Sequence, residues 1–344
     1  MPERVLITGA AGFVGHHTLS YLLQNTDFEF VATDSFRHKG TSARLRSVFE
    51  ENPSALNRVK VITHDLTTPI DIITKNEIGN INYILNIASE SHLDRSILNP
   101  REFILNNTNL VLTMLEFGRV CDHLNLFIQM STDEVYGPAA IGHNHLEWET
   151  HLPSNPYSAS KSAQEDISYS YWRTYGIPMV ITNTMNIIGE RQDTEKFIPL
   201  IIKNISERLP IPVHARRIDN THWKSGSRYY LHARNQADAL KFIIEKYDQI
   251  NSKYEKNDKL MEKLNVVGEK ETSNELVVNL IGEIMDMKPN IEFIDFHSAR
   301  PGHDLRYALN GTKLKDMGWH PPVLFEESLS RTVKWYINNP SWLE

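Results

Sequence analysis

Three short stretches hold the residue types that chemistry needs. In Ser131-Thr132-Asp133-Glu134-Val135-Tyr136-Gly137, two carboxylates stand side by side behind two hydroxyls at the end of an apolar run. Neighbouring carboxyls in unlike surroundings can be driven apart in pKa, one becoming an acid and the other a base. An elimination needs such a pair, because one group must protonate a departing hydroxyl while another takes a carbon-bound proton. A simple hydride transfer does not. The plain structural alternative is a polar loop after a strand. In Tyr157-Ser158-Ala159-Ser160-Lys161, a tyrosine and a lysine four apart share one helix face. The ammonium is expected to bring the phenol from about 10 toward neutrality, so that the phenolate can act as a general base. In Gly9-Ala10-Ala11-Gly12-Phe13-Val14-Gly15, Gly9 permits a tight turn, Gly12 a close approach of backbone to a pyrophosphate, and Gly15 the packing of helix on strand.

These stretches need a frame that brings them together, and the surrounding pattern predicts one. Val5–Thr8, 28–33, 59–62, 83–87, 126–130 and 179–182 read as short apolar strands. Helical spacing follows the glycine loop and recurs at about 100–122 and 157–175. Strands alternating with helices imply an α/β fold of Rossmann type, a doubly wound parallel sheet covered on both faces. The glycine loop sits between the first strand and the first helix, whose N-terminus offers free N–H groups and a positive dipole end to phosphates. Asp34 closes the second strand, where it can accept from ribose hydroxyls and would repel a 2′-phosphate. That favours NAD over NADP, with Arg37 and Lys39 pulling the other way. Asp65 closes the third strand and reads equally as an adenine contact or a helix N-cap.

After about residue 185 the alternation stops. Residues 208–228 show no clear period. Helices are expected at 237–247, at 273–285 with Ser273 as N-cap, and at 326–337, with a charged loop over 248–263. The expected organisation is an NAD-binding domain over 1–185 with a return segment at about 229–266, and a smaller, discontinuous substrate-binding C-terminal lobe over 186–344.

Composition excludes several classes. The 344 residues carry 36 lysines and arginines against 43 aspartates and glutamates, a net charge of −7, which argues against a dedicated nucleic-acid binder. Hydrophobic residues make up 40%, too many for a disordered chain. The single Cys121 excludes an internal disulfide and any CxxC site. No apolar run reaches the roughly 18 residues of a membrane helix, and the first residues lack the pattern of a signal peptide. A cytoplasmic location is the expectation. The 15 histidines show no HExxH spacing, so no metal site is expected. His16 and His17 read as exposed or partly packed, and Trp319, Trp335 and Trp342 as packing for the C-terminal lobe.

The motifs also carry a resemblance. TGAAGFVG at 8–15, Ala88-Ser89-Glu90-Ser91-His92-Leu93-Asp94-Arg95-Ser96, STDEVYG at 131–137, Asn155-Pro156-Tyr157-Ser158-Ala159-Ser160-Lys161, Glu195-Lys196-Phe197-Ile198-Pro199-Leu200 and Arg300-Pro301-Gly302-His303-Asp304 resemble, nearly end to end, the nucleotide-sugar 4,6-dehydratases of the extended short-chain dehydrogenase/reductase family. STDEVYG and RPGHD together are the most specific of these. The resemblance implies a redox-neutral reaction on a dTDP- or UDP-hexose with NAD as cofactor: oxidation at C4, loss of water across C5–C6 and reduction at C6, giving a 4-keto-6-deoxy sugar. It assigns Tyr157 to the 4-hydroxyl proton, Glu134 to the C5 proton, Asp133 to the departing 6-hydroxyl, Thr132 to holding the 4-hydroxyl and Lys161 to the nicotinamide ribose. It adds Phe13, Val14, Leu66 and Ala88 to the cofactor site. Ser91, Asn186, Arg228, Asn265, Arg300 and His303 become substrate contacts. A homodimer is implied, with the helices at about 100–120 and 157–175 pairing in a four-helix interface.

The chain departs from the family pattern around the sugar nucleotide. Asn186-Ile187-Ile188-Gly189 stands where the family has Asn-Asn-Tyr-Gly, residues 214–227 are longer and more basic, and Ala233-Arg234-Asn235 replaces Val-Glu-Asp. These changes leave the reaction type in place and open the question of base and sugar. A 4-epimerase or decarboxylase of the same family, and a non-catalytic NAD-binding Rossmann protein, remain as alternatives. Asp133-Glu134 speaks against the first, and the intact set of five catalytic types against the second.

Overall fold

The computed structural model describes residues 2–219, 222–254, 260–295 and 304–344. Its strands are β1 (Arg4–Thr8), β2 (Glu29–Asp34), β3 (Val59–Thr63), β4 (Tyr83–Asn86), β5 (Leu126–Thr132), β6 (Met179–Thr184), β7 (Ile187–Ile188), β8 (Ile211–Arg217), β9 (Trp223–Ser225), β10 (Ser227–Arg228), β11 (Leu231–His232), β12 (Glu262–Val266), β13 (Thr272–Ser273) and β14 (Ile291–Asp295). Its longer helices are α1 (Phe13–Asn25), α2 (Ser42–Glu51), α3 (Ile72–Ile78), α4 (Leu93–Leu98), α5 (Pro100–Gly118), α6 (Pro156–Tyr175), α7 (Phe197–Ser206), α8 (Ala233–Tyr254), α9 (Asn274–Met285), α10 (Thr312–Asp316) and α11 (Phe325–Asn338).

Seven strands form one parallel sheet in the order β12-β6-β5-β4-β1-β2-β3. The order reverses beside β1, so the carboxyl ends of β1 and β4 flank the crevice where open α/β sheets bind ligands. Apolar runs such as Val5-Leu6-Ile7 and Phe127-Ile128 are buried on both faces. One face packs Leu19, Leu22 and Leu240, and the other Val111, Met114 and Phe117, so the expected two-sided cover is present. A further core of isoleucines from α7, with Val277, Val278 and Ile281 of α9 and Leu329 and Val333 of α11, lies apart from the sheet.

Two segments differ from the sequence reading. The stretch 248–263, expected as a charged loop, continues α8 to Tyr254 and enters β12 at Glu262, while 255–259 lie outside the described residues. All of β12 is buried, Lys263 included, because the Lys263 ammonium pairs with Glu165 at 2.6 Å and lies over the rings of Tyr136 and Trp148. A charged residue in a two-sided strand disguised it. The stretch 208–228 holds β8, where Ile211, Val213 and Ala215 are buried in strict alternation beside β14. Pro212 and the following arginines masked that period.

The histidines of α1 are also corrected. His16 and His17 are buried, at 1% and 2% exposure. His17 Nε2 lies 2.9 Å from the Glu190 carbonyl, and the Glu190 carboxylate also meets His232 at 3.2 Å and Arg331 at 2.8 Å. Burial pushes the His16 imidazole down to about 3, so it packs as a neutral group. Trp335 and Trp342 pack in the second core as expected, but Trp319 joins the sheet core and donates to Asp238 at 2.7 Å. No described helix is long and apolar enough to cross a membrane.

Candidate active site

The glycine loop leaves β1 at Thr8 and turns back over the N-terminus of α1. Gly9 adopts φ +66°, and a Cβ there would come within 2.9 Å of the Ala88 Cα. A Cβ on Gly15 would lie 2.0 Å from the Gly9 carbonyl oxygen, which no rearrangement of side chains can relieve. The loop therefore has the bare backbone cradle that a pyrophosphate requires. Asp34 clamps it: Oδ2 accepts from Ala11 N and Oδ1 from Phe36 N, each at 2.9 Å. Asp34 thus anchors the loop as well as lining the cleft. Asp65 accepts from Thr67 N and Oγ1 and pairs with Arg37 at the cleft edge, so it closes a turn and lines the cleft at once.

The cleft encloses about 1650 Å³ of free space, its open mouth included. Gly9, Gly12, Phe13, Val14, Gly15, Asp34, Asp65, Leu66 and Ala88 line one part of it. Thr132, Asp133, Glu134, Tyr157 and Lys161 line the other, together with Ser91 and Asn186. The five residues singled out for catalysis thus share one cavity with the glycine loop.

Local structure explains their placement. β5 ends at Thr132, and a single 3₁₀ turn over Asp133–Tyr136 stops at Gly137, whose φ is +75°. Asn155 caps α6 by accepting from Ser158 N at 2.9 Å, with Pro156 in the first helical position, which fixes Tyr157 one residue later. The same Asn155 turns its amide toward Glu134, donating at 3.5 Å. Thr132 Oγ1 donates to Asp133 Oδ1 at 2.9 Å, while Asp133 Oδ2 is buried without a hydrogen-bond partner among the described residues. Burial raises both carboxyls: Asp133 to about 6, and Glu134 to about 7 with the Asp133 charge adding to it. Burial thus brings both toward neutrality, with Asp133 ionising before Glu134.

The Tyr157–Lys161 relation differs from expectation. Lys161 Nζ donates to the Met130 carbonyl at 2.7 Å and to Gln164 Oε1 at 2.6 Å. Burial lowers the lysine to about 8. The Tyr157 phenol is raised, by burial first and then by the Glu134 and Asp133 charges, against a lowering hydrogen bond from Thr132. The lysine does not ionise the phenol in this arrangement, because the charges facing the phenol are carboxylates. Lys161 instead ends a buried chain of side chains across the sheet: Thr8 Oγ1 donates to Asn86 Oδ1, Asn86 to Gln129 Oε1, and Gln129 and Lys161 both to Gln164 Oε1.

Other expected contacts fall outside the cleft. Asn265 is fully buried in β12, and its amide donates to the carbonyls of His145 and Asn310 at 3.0 and 3.1 Å. Its side chain is engaged in joining strand to loop and is absent from the cleft lining. Arg228 donates to the carbonyls of Ser227, Asp304 and Leu305 at 2.6–2.7 Å and lies over the Tyr307 ring. Its charge still lowers both Asp133 and Glu134. Arg300 and His303 lie outside the described residues.

Sequence reasoning missed Lys196 as a site residue. It lines the cleft, donates to the Ser91 carbonyl at 3.0 Å and is near enough to Glu134 to feel its charge. Glu90 was missed as well; it lines the cleft and meets His38 at 2.6 Å. Both sit inside quoted motifs, but only the folded cleft distinguishes them from their neighbours.

Comparison with known proteins agrees with this geometry. The family described as GDP-mannose 4,6 dehydratase matches residues 6–332. A dTDP-glucose 4,6-dehydratase of Haemophilus influenzae is 32% identical over 98% of this chain and 98% of its own. An Arabidopsis thaliana trifunctional protein, whose name includes UDP-glucose 4,6-dehydratase, is 32% identical over 99% of this chain and 48% of its own. The crystal structure of a Bacillus anthracis dTDP-glucose 4,6-dehydratase in complex with NAD superposes with a TM-score of 0.82, at 26% identity, over 99% of this chain and 100% of that one. With the glycine cradle, the carboxylate pair and the Tyr–Lys helix gathered in one cleft, the chain belongs to the nucleotide-sugar 4,6-dehydratase family.

Proposed function

We propose that this protein is an NAD-dependent nucleotide-sugar 4,6-dehydratase, turning a dTDP- or UDP-hexose into its 4-keto-6-deoxy form. The observation that carries the reading is the pair Asp133–Glu134, the first buried and the second half-buried, beside Tyr157, because an elimination is the one member of this group of reactions that needs both carboxyls. Gly9, Gly12 and Gly15 with the N-terminus of α1 would hold the cofactor pyrophosphate, Asp34 the adenosine ribose and Lys161 the nicotinamide ribose. NAD, when bound, supplies a positively charged two-electron acceptor at C4 and, once reduced, the donor at C6.

The remaining steps belong to the chain. Tyr157 takes the 4-hydroxyl proton as a phenolate, a form that the positive charge NAD brings would favour against the burial that raises the phenol, with Thr132 positioning that hydroxyl. The ketone formed at C4 acidifies the C5 hydrogen, which Glu134 removes. Asp133 protonates the 6-hydroxyl, which leaves as water. The division requires Glu134 ionised and Asp133 protonated, the reverse of the order that burial alone sets, so bound substrate must move the proton from Glu134 to Asp133.

Ser91, Asn186 and Lys196 border the sugar-nucleotide end of the cleft. Arg228, Arg300 and His303 are assigned there by motif, and Arg228 would exchange its carbonyl partners for a diphosphate. The cofactor lobe comprises 1–185 with the return of 229–266, a division supported by the pairing of β12 with β6. The remainder forms the substrate lobe. A homodimer is supported by exposed Leu98, Leu105 and Leu112 along α4 and α5. We place the enzyme in the cytoplasm.

Incubation with dTDP-glucose and, separately, UDP-glucose tests the reading. A 4-keto-6-deoxy product without net NADH is expected from at least one of them. A C4 epimer, or released CO₂ with no deoxy sugar, would point to the other chemistries of this fold and sink the proposal.

A further inference from the structure

We propose that His143, His145 and Glu149, in the loop between the Asp133–Tyr136 turn and α6, bind a divalent cation of the zinc class. The His143 Nε2 and His145 Nδ1 atoms converge on one carboxylate oxygen, Glu149 Oε2, at 3.0 and 2.7 Å. Their rings stand 5.1 Å apart at 88°. One ligand atom from each of the three residues falls within a sphere of 4.8 Å. Two imidazoles and a carboxylate suit Zn²⁺, which takes three protein ligands and leaves the fourth position to water. They do not suit Mg²⁺ or Ca²⁺, which take oxygen.

The scaffold under the three is fixed. His145 stacks on Tyr136 at 5.3 Å, donates its backbone N–H to the Ala308 carbonyl at 2.9 Å, and receives Asn310 N on its own carbonyl at 2.8 Å. Glu149 Oε1 accepts from Leu146 N at 2.9 Å, which leaves Oε2 to face the imidazoles. Arg306 donates to the His143 carbonyl and to Asn144 Oδ1 while paired with Glu271, so its charge is already answered. The His145 Nε2 atom is buried without a hydrogen-bond partner among the described residues, so moving the ring proton there when Nδ1 takes the cation carries a cost that limits the affinity of the site. A bound Zn²⁺ needs its ligand atoms about 3.3 Å apart, given bonds of about 2.0–2.1 Å. Movement of the half-exposed His143 and of Glu149 supplies that. The cation takes the place of the two hydrogen bonds, and each imidazole moves its proton to the other ring nitrogen. The effect is a staple on a loop that also bonds Tyr229 through Asn144.

Calorimetric titration of the chelator-stripped full chain with Zn²⁺ tests the site. One Zn²⁺ per chain is expected, with a raised Tm, and Co²⁺ should give the intense visible absorption of a four-coordinate nitrogen–oxygen site. His143→Gln and Glu149→Gln should each weaken Zn²⁺ binding by about 100-fold or more, beyond what loss of a supporting contact alone costs. His143 is half exposed, so its replacement leaves the fold intact. Failure of the unaltered chain to take up Zn²⁺, or uptake unchanged in both variants, would show the trio to be a hydrogen-bonded His–Glu–His cluster and nothing more.

Discussion

At residue scale the proposed chemistry rests on two carboxyls that burial brings near neutrality, Asp133 to about 6 and Glu134 to about 7. Turnover requires one proton on the pair. The rate should fall below about pH 6, as both become protonated, and above about pH 7, as both ionise, giving a narrow bell in kcat/KM. Glu134→Gln should abolish solvent exchange at C5 and cut turnover by about 10²-fold or more, while oxidation at C4 survives; full exchange in that variant removes Glu134 from its role. The same variant bears on stability. Glu134 is raised in the fold, so its ionised form opposes folding, and that opposition grows as pH rises toward about 7 and is complete above it. A neutral amide should therefore raise Tm by about 1–3 °C at pH 8.5 and leave it unchanged at pH 4, read by thermal unfolding at both values. Sequence disclosed the pair by type and adjacency, but not that Lys161 would bond Met130 and Gln164 in place of Tyr157. The direction of Lys161 is set in part by the Met130 carbonyl, 31 positions away in the chain, which no local spacing records.

At the scale of elements, the motifs that were legible are those in which a local rule dictates the backbone. The glycine loop, the Asn155 cap of α6 and the six strands from β1 to β6 all follow from nearby residues. β8 and β12 were missed because tertiary burial overrode local polarity: Lys263 and Glu262 enter a buried strand only because Glu165 and Lys313 await them. Gly15 gives the sharpest test of an element. Its Cβ in Gly15→Ala would press 2.0 Å from the Gly9 oxygen, so the loop must move. NAD affinity should drop by about 10²-fold, roughly 3 kcal/mol, by equilibrium dialysis, with sugar-nucleotide binding affected far less. Retained cofactor affinity would mean that the loop does not hold the pyrophosphate.

Across the whole molecule, distant segments are locked by a few buried charges. Lys263 enters the sheet edge from the last third of the chain and meets Glu165 of α6, with both side chains almost fully buried. Glu190 gathers His17, His232 and Arg331 from three further elements. Removing one partner of a buried pair leaves the other uncompensated, so Lys263→Met should cost about 3–5 kcal/mol in urea unfolding. A loss under about 1 kcal/mol would show that Glu165 takes up a proton or finds another partner. Two members of this second lock, Glu190 and His232, lie within the divergent stretch 187–235 itself.

The row of amides and hydroxyls from Thr8 through Asn86, Gln129 and Gln164 to Lys161 has a consequence for how this protein can vary. Every member but Lys161, which only gives, is both giver and receiver, so a change at one strands its neighbours in a dry interior. Single replacements there are dead ends, and only matched replacements at two or three of these positions could keep the site intact. Exposed side chains of the divergent stretch, such as Arg216 and Lys224, lie outside that row and can drift one residue at a time. New substrates are therefore reachable by small steps, whereas a new reaction would require several simultaneous ones.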